Sequence, residues 1–200
     1  MKMRGARSLF LTALVFLGSG SAQAHSLRIE GVDVPGQCSV GGHSLHLNGA
    51  GLRTFSMFAV PIKVYVASFY SVSPLKTEQD VRHAPGPMQF DFSFLRSVGQ
   101  MDVRKAWTAQ FAQSVSYTYP GYPKDRDSFV SMFGGVRQGG VERVQLIGTN
   151  TLIFDSGSLR GTIPGRNFQK AFLSLWFGSK PVSKRLKSQL LGALPNGSVP

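Results

Sequence analysis

The segment that most restricts the fold is FAVPIKVYVASFYSV, residues 58–72, which is rich in β-branched and aromatic side chains. Such side chains fit the pleated surface of a sheet, and the segment is too apolar for an edge strand. It therefore predicts a central strand with neighbours on both sides. Pro61 is expected at a bulge or at the start of this strand, because proline cannot donate a hydrogen bond to the ladder.

Strand patterns precede and follow this segment. LRIEGVDVP alternates apolar and polar residues and predicts one strand with a solvent-facing side. CSVGGHSLHLNGAG predicts two short strands that form a hairpin around Gly41 and Gly42. PGPMQFDFSFLR places Phe90, Phe92 and Phe94 on one side of a further strand, and the segment 139–163 predicts three more short strands.

The hydrophobic period becomes helical from Gln100 onwards. QMDVRKAWTAQFAQSVSY predicts a long helix with one apolar stripe, formed by Val103, Trp107, Phe111 and Val115. PKDRDSFVSMFGG predicts a shorter helix, PGRNFQKAFLSLWFG a third that stops at Gly178, and VSKRLKSQLLG a last one. This order predicts an α+β domain in which helices cover one face of a largely antiparallel β-sheet.

The N-terminal residues 1–24 have the pattern of a cleavable signal peptide. Basic residues in MKMRGAR precede the apolar run LFLTALVFLG, and AQA stands before His25. The apolar run is too short to span a bilayer, so a retained anchor is the weaker alternative. We expect an exported chain whose residues 25–200 form a single domain.

The balance of charge favours anionic partners. The full sequence has 22 Lys and Arg against 10 Asp and Glu, a net charge of +12, of which the leader contributes three positive charges. The basic residues are scattered rather than clustered with aromatics, so we expect no nucleic-acid partner. The run KPVSKRLK, 180–187, is interpreted as the solvent-facing side of the last helix; peripheral contact with an anionic membrane surface is the alternative.

No motif indicates a metal, a cofactor or a second subunit. The histidines lack metal-ligand spacing, since His43 and His46 would point to opposite faces of a strand. Cys38 is the single cysteine, so no internal disulfide can form, and we interpret it as a small core residue rather than a reactive thiol. We expect a monomer that binds neither a metal nor a cofactor.

Three segments together resemble the chalcone isomerase-like family, in particular its bacterial, exported branch. They are LNGAGLR, VYVASFY and GTIPGRNFQKAFLSLWFGSKPVSKRLKSQLLG, and the resemblance runs from about 29 to 192. The resemblance implies an antiparallel sheet with a helical layer, open on one side to hold a ligand. With the predicted leader, it also implies a periplasmic protein.

The resemblance also implies a role for Arg53, which follows the predicted glycine-rich turn in LNGAGLR. In plant chalcone isomerases the arginine of this turn binds and polarises the flavonoid, and in fatty-acid-binding members an equivalent arginine receives the ligand carboxylate. A guanidinium is always charged and offers a planar fork for two oxygens. The alternative is that Arg53 pairs with an internal acid, Asp91 or Asp102. Tyr65 and Asp102 are the other candidate ligand-binding residues.

The polar catalytic residues of the isomerases are missing from this sequence. Aligned without gaps through FSFLRSVGQMDVRKAW, three of their positions fall on Ser93, Asp102 and Ala109. Two threonine positions fall near Val60 and Leu175. We therefore assign no catalytic residue and predict a non-catalytic binder of a fatty acid or similar amphipathic carboxylate, through Arg53. The alternatives are an isomerase or intramolecular lyase that uses Asp102 as a base, and a basic envelope adaptor without a ligand.

Overall fold

The computed structural model of the protein describes residues 26–57 and 60–193. The predicted signal peptide lies outside these residues. The strands in the described ranges are β1 (Leu27–Ile29), β2 (Val32–Val34), β3 (Gln37–Val40), β4 (His43–Met57), β5 (Val60–Ser71), β6 (Met88–Phe94), β7 (Val141–Ile147), β8 (Asn150–Asp155) and β9 (Ser158–Pro164). The helices are α1 (Glu78–His83), α2 (Gln100–Ser114), α3 (Tyr122–Ser131), α4 (Arg166–Phe177) and α5 (Lys184–Leu190).

The main sheet is an antiparallel meander. Its seven strands follow one another in chain order from β3 to β9, and each pairs with the next in antiparallel register. β5 lies between β4 and β6, which confirms the predicted inner strand, and Pro61 is its second residue. None of the helices described is long and apolar enough to cross a membrane.

The larger core lies between this sheet and the helices. Phe90, Phe92 and Phe94 share one face of β6, as their alternation predicts, and all three are buried. The centroid of the Phe92 ring lies 5.1 Å from that of Trp176 on α4 and 5.9 Å from that of Trp107 on α2. The predicted α+β architecture with helices on one face is therefore confirmed.

The second face of the sheet is covered by a small hairpin that the sequence analysis did not predict. LRIEGVDVP forms two strands, β1 and β2, rather than the single strand expected. The chain reverses at Glu30 and Gly31, whose φ angles are 51° and 81°. Ile29 and Val34 are buried on the main sheet with Val40, Leu45 and Val66.

The glycine-rich turn expected before Arg53 is also wrong, because these residues lie inside β4. At Gly49 and Gly51 the direction that a side chain would take is occupied by α5. A Cβ atom would stand 2.1 Å from the backbone oxygen of Gln189 at position 49, and 2.1 Å from Gln189 Oε1 at position 51. These glycines permit close contact between a strand and a helix, rather than a reversal of the chain.

Candidate functional site

Arg53 and Tyr65 form a cross-strand pair on the side of the sheet that the helices cover. They stand opposite each other on β4 and β5, and the ladder shifts register directly after them. The flanking pair Leu52 and Val66 belongs to the opposite face. Because side chains alternate along a strand, Arg53 and Tyr65 share the face of the aromatic core. The structure thus brings these two predicted ligand-binding residues together.

Arg53 has no acidic partner among the described residues, which include all ten Asp and Glu of the chain. It is partly buried, and none of these ten side-chain carboxylates lies within 4.0 Å of its guanidinium. One terminal nitrogen, Nη1, donates a hydrogen bond to the backbone carbonyl of Thr54. A guanidinium carries five N–H donors, so most of its capacity to bind an anion remains.

Tyr65 places a phenolic hydroxyl beside this guanidinium. Burial raises the pKa of Tyr65 far above its usual value, although the charge and hydrogen-bonding capacity of Arg53 lower it. The ring is held edge-on to Phe92 and Phe94, with centroids 5.5 Å away in each case. Tyr65 therefore remains protonated at neutral pH and is a hydrogen-bond donor.

Glu142 on β7 is a buried acid that the sequence analysis did not select. Its side chain faces the same core, only 1% of the residue is exposed, and its Oε1 has no hydrogen-bond partner among the residues that the structure describes. Burial, and then the charge of Asp155 on β8, raise the pKa of Glu142 to about 8. The carboxyl is consequently mostly protonated at neutral pH. The alternation in VERVQLI, which also buries Val144 and Leu146, was the signal that could have placed Glu142 inside.

The acids considered as partners of Arg53 lie elsewhere. Asp91 accepts hydrogen bonds from Nε and Nη2 of Arg143 at 2.7 and 2.9 Å. Asp91 also stands opposite Ser68, and its charge acts on Tyr70, which packs on the face that the β1–β2 hairpin covers. Asp91 therefore points away from Arg53. Asp102 is exposed in the first turn of α2 and makes no ion pair within the described ranges. Pairing of Arg53 with either acid is therefore wrong, and ligand binding by Asp102 stays a prediction.

Two cavities lie away from this pair. One of about 260 Å³ is lined by Gly135, Val136, Arg137, Gly140, Val141, Asp155 and Ser156. Another, of about 70 Å³, lies between α1 and α4. Neither cavity includes Arg53 or Tyr65. In this structure the aromatic side chains fill the layer between the sheet and the helices.

The basic run 180–187 is only in part a solvent-facing surface. Lys180, Lys184 and Arg185 are exposed. Lys187 is not, because its Nζ binds Glu78 Oε2 at 3.0 Å and the carbonyl of Gly178 at 2.9 Å. The interpretation of Lys187 as a solvent-facing charge is therefore wrong: it joins α5 to α1 and to the C-terminal end of α4.

Cys38 and the histidines form neither a metal site nor a reactive-thiol site in the part of the chain described. Burial, helped by the charge of Asp91, raises the pKa of the Cys38 thiol to about 11, so the thiol is neutral at pH 7. His46 Nδ1 lies 3.2 Å from Gln37 Nε2. No group of three His, Cys, Asp or Glu side chains in the described ranges has the geometry to hold a metal ion.

The model of the chalcone isomerase-like family matches residues 26–192. The chain belongs to the chalcone isomerase-like family. This confirms the resemblance carried by LNGAGLR, VYVASFY and the C-terminal segment. No curated protein matches the chain in a sequence comparison.

A solved structure of the same fold is the crystal structure of a fatty-acid binding protein from Arabidopsis thaliana. It superposes with a TM-score of 0.66 at 17% sequence identity, and the alignment covers 84% of this chain and 96% of that one. At this identity the likeness confirms the fold of this chalcone isomerase-like chain.

Proposed function

We propose that this protein is an exported, non-catalytic binder of a fatty acid or similar amphipathic carboxylate, whose acid group is received by Arg53. The observation that carries the proposal is the unneutralised positive charge of Arg53. Its guanidinium is partly buried on the helix-covered face, beside the Tyr65 hydroxyl, and none of the chain's acids neutralises it. Burying a charge is costly without a partner, so an anionic ligand would stabilise this site.

The donors present suit a carboxylate. The planar fork of Arg53 can contact both carboxylate oxygens, and hydrogen bonds between charged groups are about twice as strong as neutral ones. The protonated Tyr65 hydroxyl supplies a further donor at the same position. Phe92 and Phe94 lie against the Tyr65 ring at the edge of an aromatic core, and such side chains match the apolar chain of this ligand class.

The positions aligned with the isomerase residues support a binder over an enzyme. Ser93 stands opposite Val66 and Val141, on the face of the sheet away from Arg53. Ala109 is exposed on α2, and Leu175 is fully buried in the core. Asp102, the base in the isomerase alternative, is exposed and lines neither cavity. These residues do not gather polar groups around the arginine.

Two further observations favour this ligand class and location. The solved structure with the same fold is itself described as a fatty-acid binding protein. The leader pattern in residues 1–24 directs the chain to the periplasm, where a carrier or sensor of amphipathic acids would operate in an aqueous compartment.

Direct binding to the mature chain, 25–200, tests the proposal. The probes are dodecanoate and dodecanol, which share an alkyl chain but differ in the acid group. We expect dodecanoate to bind the wild type, and Arg53→Gln to weaken it by about 10- to 100-fold, in line with the loss of charged hydrogen bonds. Affinity for dodecanol should be unchanged.

The matched control is Arg185→Gln, which removes an exposed arginine on α5. An equal loss of dodecanoate affinity in both variants would indicate capture by surface charge and contradict the proposal. Absence of dodecanoate binding by the wild type would contradict it as well, and would favour a basic envelope adaptor.

A further inference from the structure

Glu142 lies on the same face as the proposed anion site, in the adjacent row of cross-strand neighbours. Arg53, Tyr65 and Phe94 form one row across β4, β5 and β6. Gly51, Ala67, Phe92, Glu142 and Asp155 form the next, across β4 to β8. Strands β5 and β7 are two spacings, roughly 10 Å, apart. The two side chains are close enough that Glu142, once ionised, raises the pKa of the Tyr65 hydroxyl further.

The burial of Glu142 has no explanation within the described structure. Its Oε1 is fully enclosed yet has no hydrogen-bond partner. Buried polar atoms of native proteins nearly always have one, and an exception calls for a reason. A carboxyl in an aromatic core is also a poor choice for stability alone, because a hydrophobic side chain would pack there without an unsatisfied oxygen.

The groups around Glu142 favour its uncharged form. Asp155 stands directly opposite on β8, where its carboxylate forms an ion pair with Arg160 at 2.8 Å. The layer packed over this face contributes aromatic side chains, among them Trp107 of α2, Trp176 of α4 and Phe133, which follows α3. Among charged groups, Asp155 is the one whose charge acts on Glu142. The neighbouring strands and the loop before β7 also carry Arg53, Tyr65, Arg160 and Arg137, and from α2 Arg104 donates hydrogen bonds to the carbonyls of Phe133 and Ser131.

We propose that Glu142 is a further ligand-binding residue, which in its protonated form donates a hydrogen bond to the acid group held by Arg53 and Tyr65. This inference rests on the proposed function. A protonated carboxyl donates to a carboxylate, whereas an ionised one repels it. Ligand binding is therefore coupled to the proton on Glu142, and the affinity decreases as pH rises past the point at which this carboxyl ionises.

The affinity of the mature chain for dodecanoate between pH 6.5 and 9.5 tests this coupling. For the wild type we expect a decrease that approaches tenfold per pH unit above about pH 8. Glu142→Gln keeps the shape of the side chain and a permanent donor, so its affinity should be nearly independent of pH. Dodecanol should show no dependence on pH in either protein.

A second measurement needs only the wild type. Calorimetric titration with dodecanoate at pH 8, in buffers that differ in ionisation enthalpy, counts the protons taken up on binding. We expect uptake of a fraction of one proton per ligand, and no uptake at pH 6.5.

The outcomes separate the two proposals. Binding without proton uptake, or with the same pH dependence in Glu142→Gln, would contradict the role of Glu142 while leaving Arg53 as the anion site. Failure of the wild type to bind dodecanoate at every pH would contradict the proposed function and, with it, this inference.

Discussion

Arg53 and Tyr65 stand directly opposite each other on β4 and β5, and the register of the ladder shifts immediately after them. Gly49 and Gly51 precede Arg53 on the same face of β4, and α5 packs onto both glycines. Along this face of β4, Arg53 is therefore the first residue with a side chain after the two glycines that α5 covers. The shift leaves Val64 of β5 without a partner on β4, next to Tyr65. Such β-bulges often change the direction of side chains beside functional sites.

The contact between β4 and α5 predicts that alanine is poorly tolerated at Gly49. An added methyl group would meet the backbone of Gln189 and Leu190, which cannot move aside without displacing the helix. We expect Gly49→Ala to lower the free energy of unfolding by about 1–3 kcal/mol, measured by urea denaturation. Gly134→Ala, where the nearest atom is at 3.9 Å, is the control and should change it little.

Gly51 offers a related test with a different expected result. Here the added methyl group would meet the side chain of Gln189 rather than backbone. The loss of stability in Gly51→Ala should therefore be partly recovered in the double variant with Gln189→Ala. No recovery would contradict the packing of α5 against this strand.

The buried carboxyl of Glu142 predicts a pH-dependent stability. Its pKa is raised from 4.5 to about 8 in the folded protein, so between these values unfolding releases a proton. The free energy of unfolding of the wild type should therefore fall from pH 4.5 to 8 by several kcal/mol through this group, at about 1.4 kcal/mol per unit of pKa difference.

The Glu142→Gln variant isolates this contribution. Relative to the wild type, its free energy of unfolding should increase as pH rises from 4.5 to 8 and then stay level, because the substituted amide cannot ionise. Urea denaturation of both proteins at a series of pH values measures the difference. A constant difference across this range would mean that Glu142 is already ionised in the folded state.

The ion pair between Asp91 and Arg143, on the face that the β1–β2 hairpin covers, predicts a loss of stability when one partner is removed. Asp91 has a side chain that is 13% exposed and is held by Arg143. Arg143→Ala leaves this carboxylate with a single side-chain donor, Gln89 Nε2 at 3.1 Å, and should lower the free energy of unfolding by about 1–3 kcal/mol.

A double-mutant cycle checks that prediction. If the two residues act as a pair, Asp91→Ala combined with Arg143→Ala should cost less than the sum of the two single variants. Additive costs would show that each residue acts through other neighbours. Ligand binding should be unaffected, since the pair lies away from Arg53.

The parts of the fold that follow from local periodicity were predictable. Phe90, Phe92 and Phe94 alternate along one strand, and Phe168, Phe172 and Trp176 recur at helical spacing. Both sets are buried where their periods place them, because side-chain direction in a regular element follows from its geometry. The hairpin around Gly41 and Gly42 was equally predictable.

Features set by distant contacts were not predictable in the same way. The glycines at 49 and 51 look like turn residues locally, and their reason is α5, far away in the chain. β1 and β2 are too short for alternation to separate one strand from a hairpin. At the site, the family resemblance pointed to Arg53, and Tyr65 was a candidate as a strand tyrosine 12 positions later in the sequence. Glu142 was missed because a carboxyl in the core opposes hydropathy.

Native mass spectrometry of the mature protein purified from a bacterial periplasm tests whether Arg53 holds an acidic ligand. Wild type, Arg53→Gln and the control Arg185→Gln are compared, and any released ligand is weighed. We expect an amphipathic carboxylic acid on the wild type and on Arg185→Gln, and its loss from folded Arg53→Gln. An empty wild type, or equal occupancy in all three proteins, would contradict the assignment of Arg53 as the anion site.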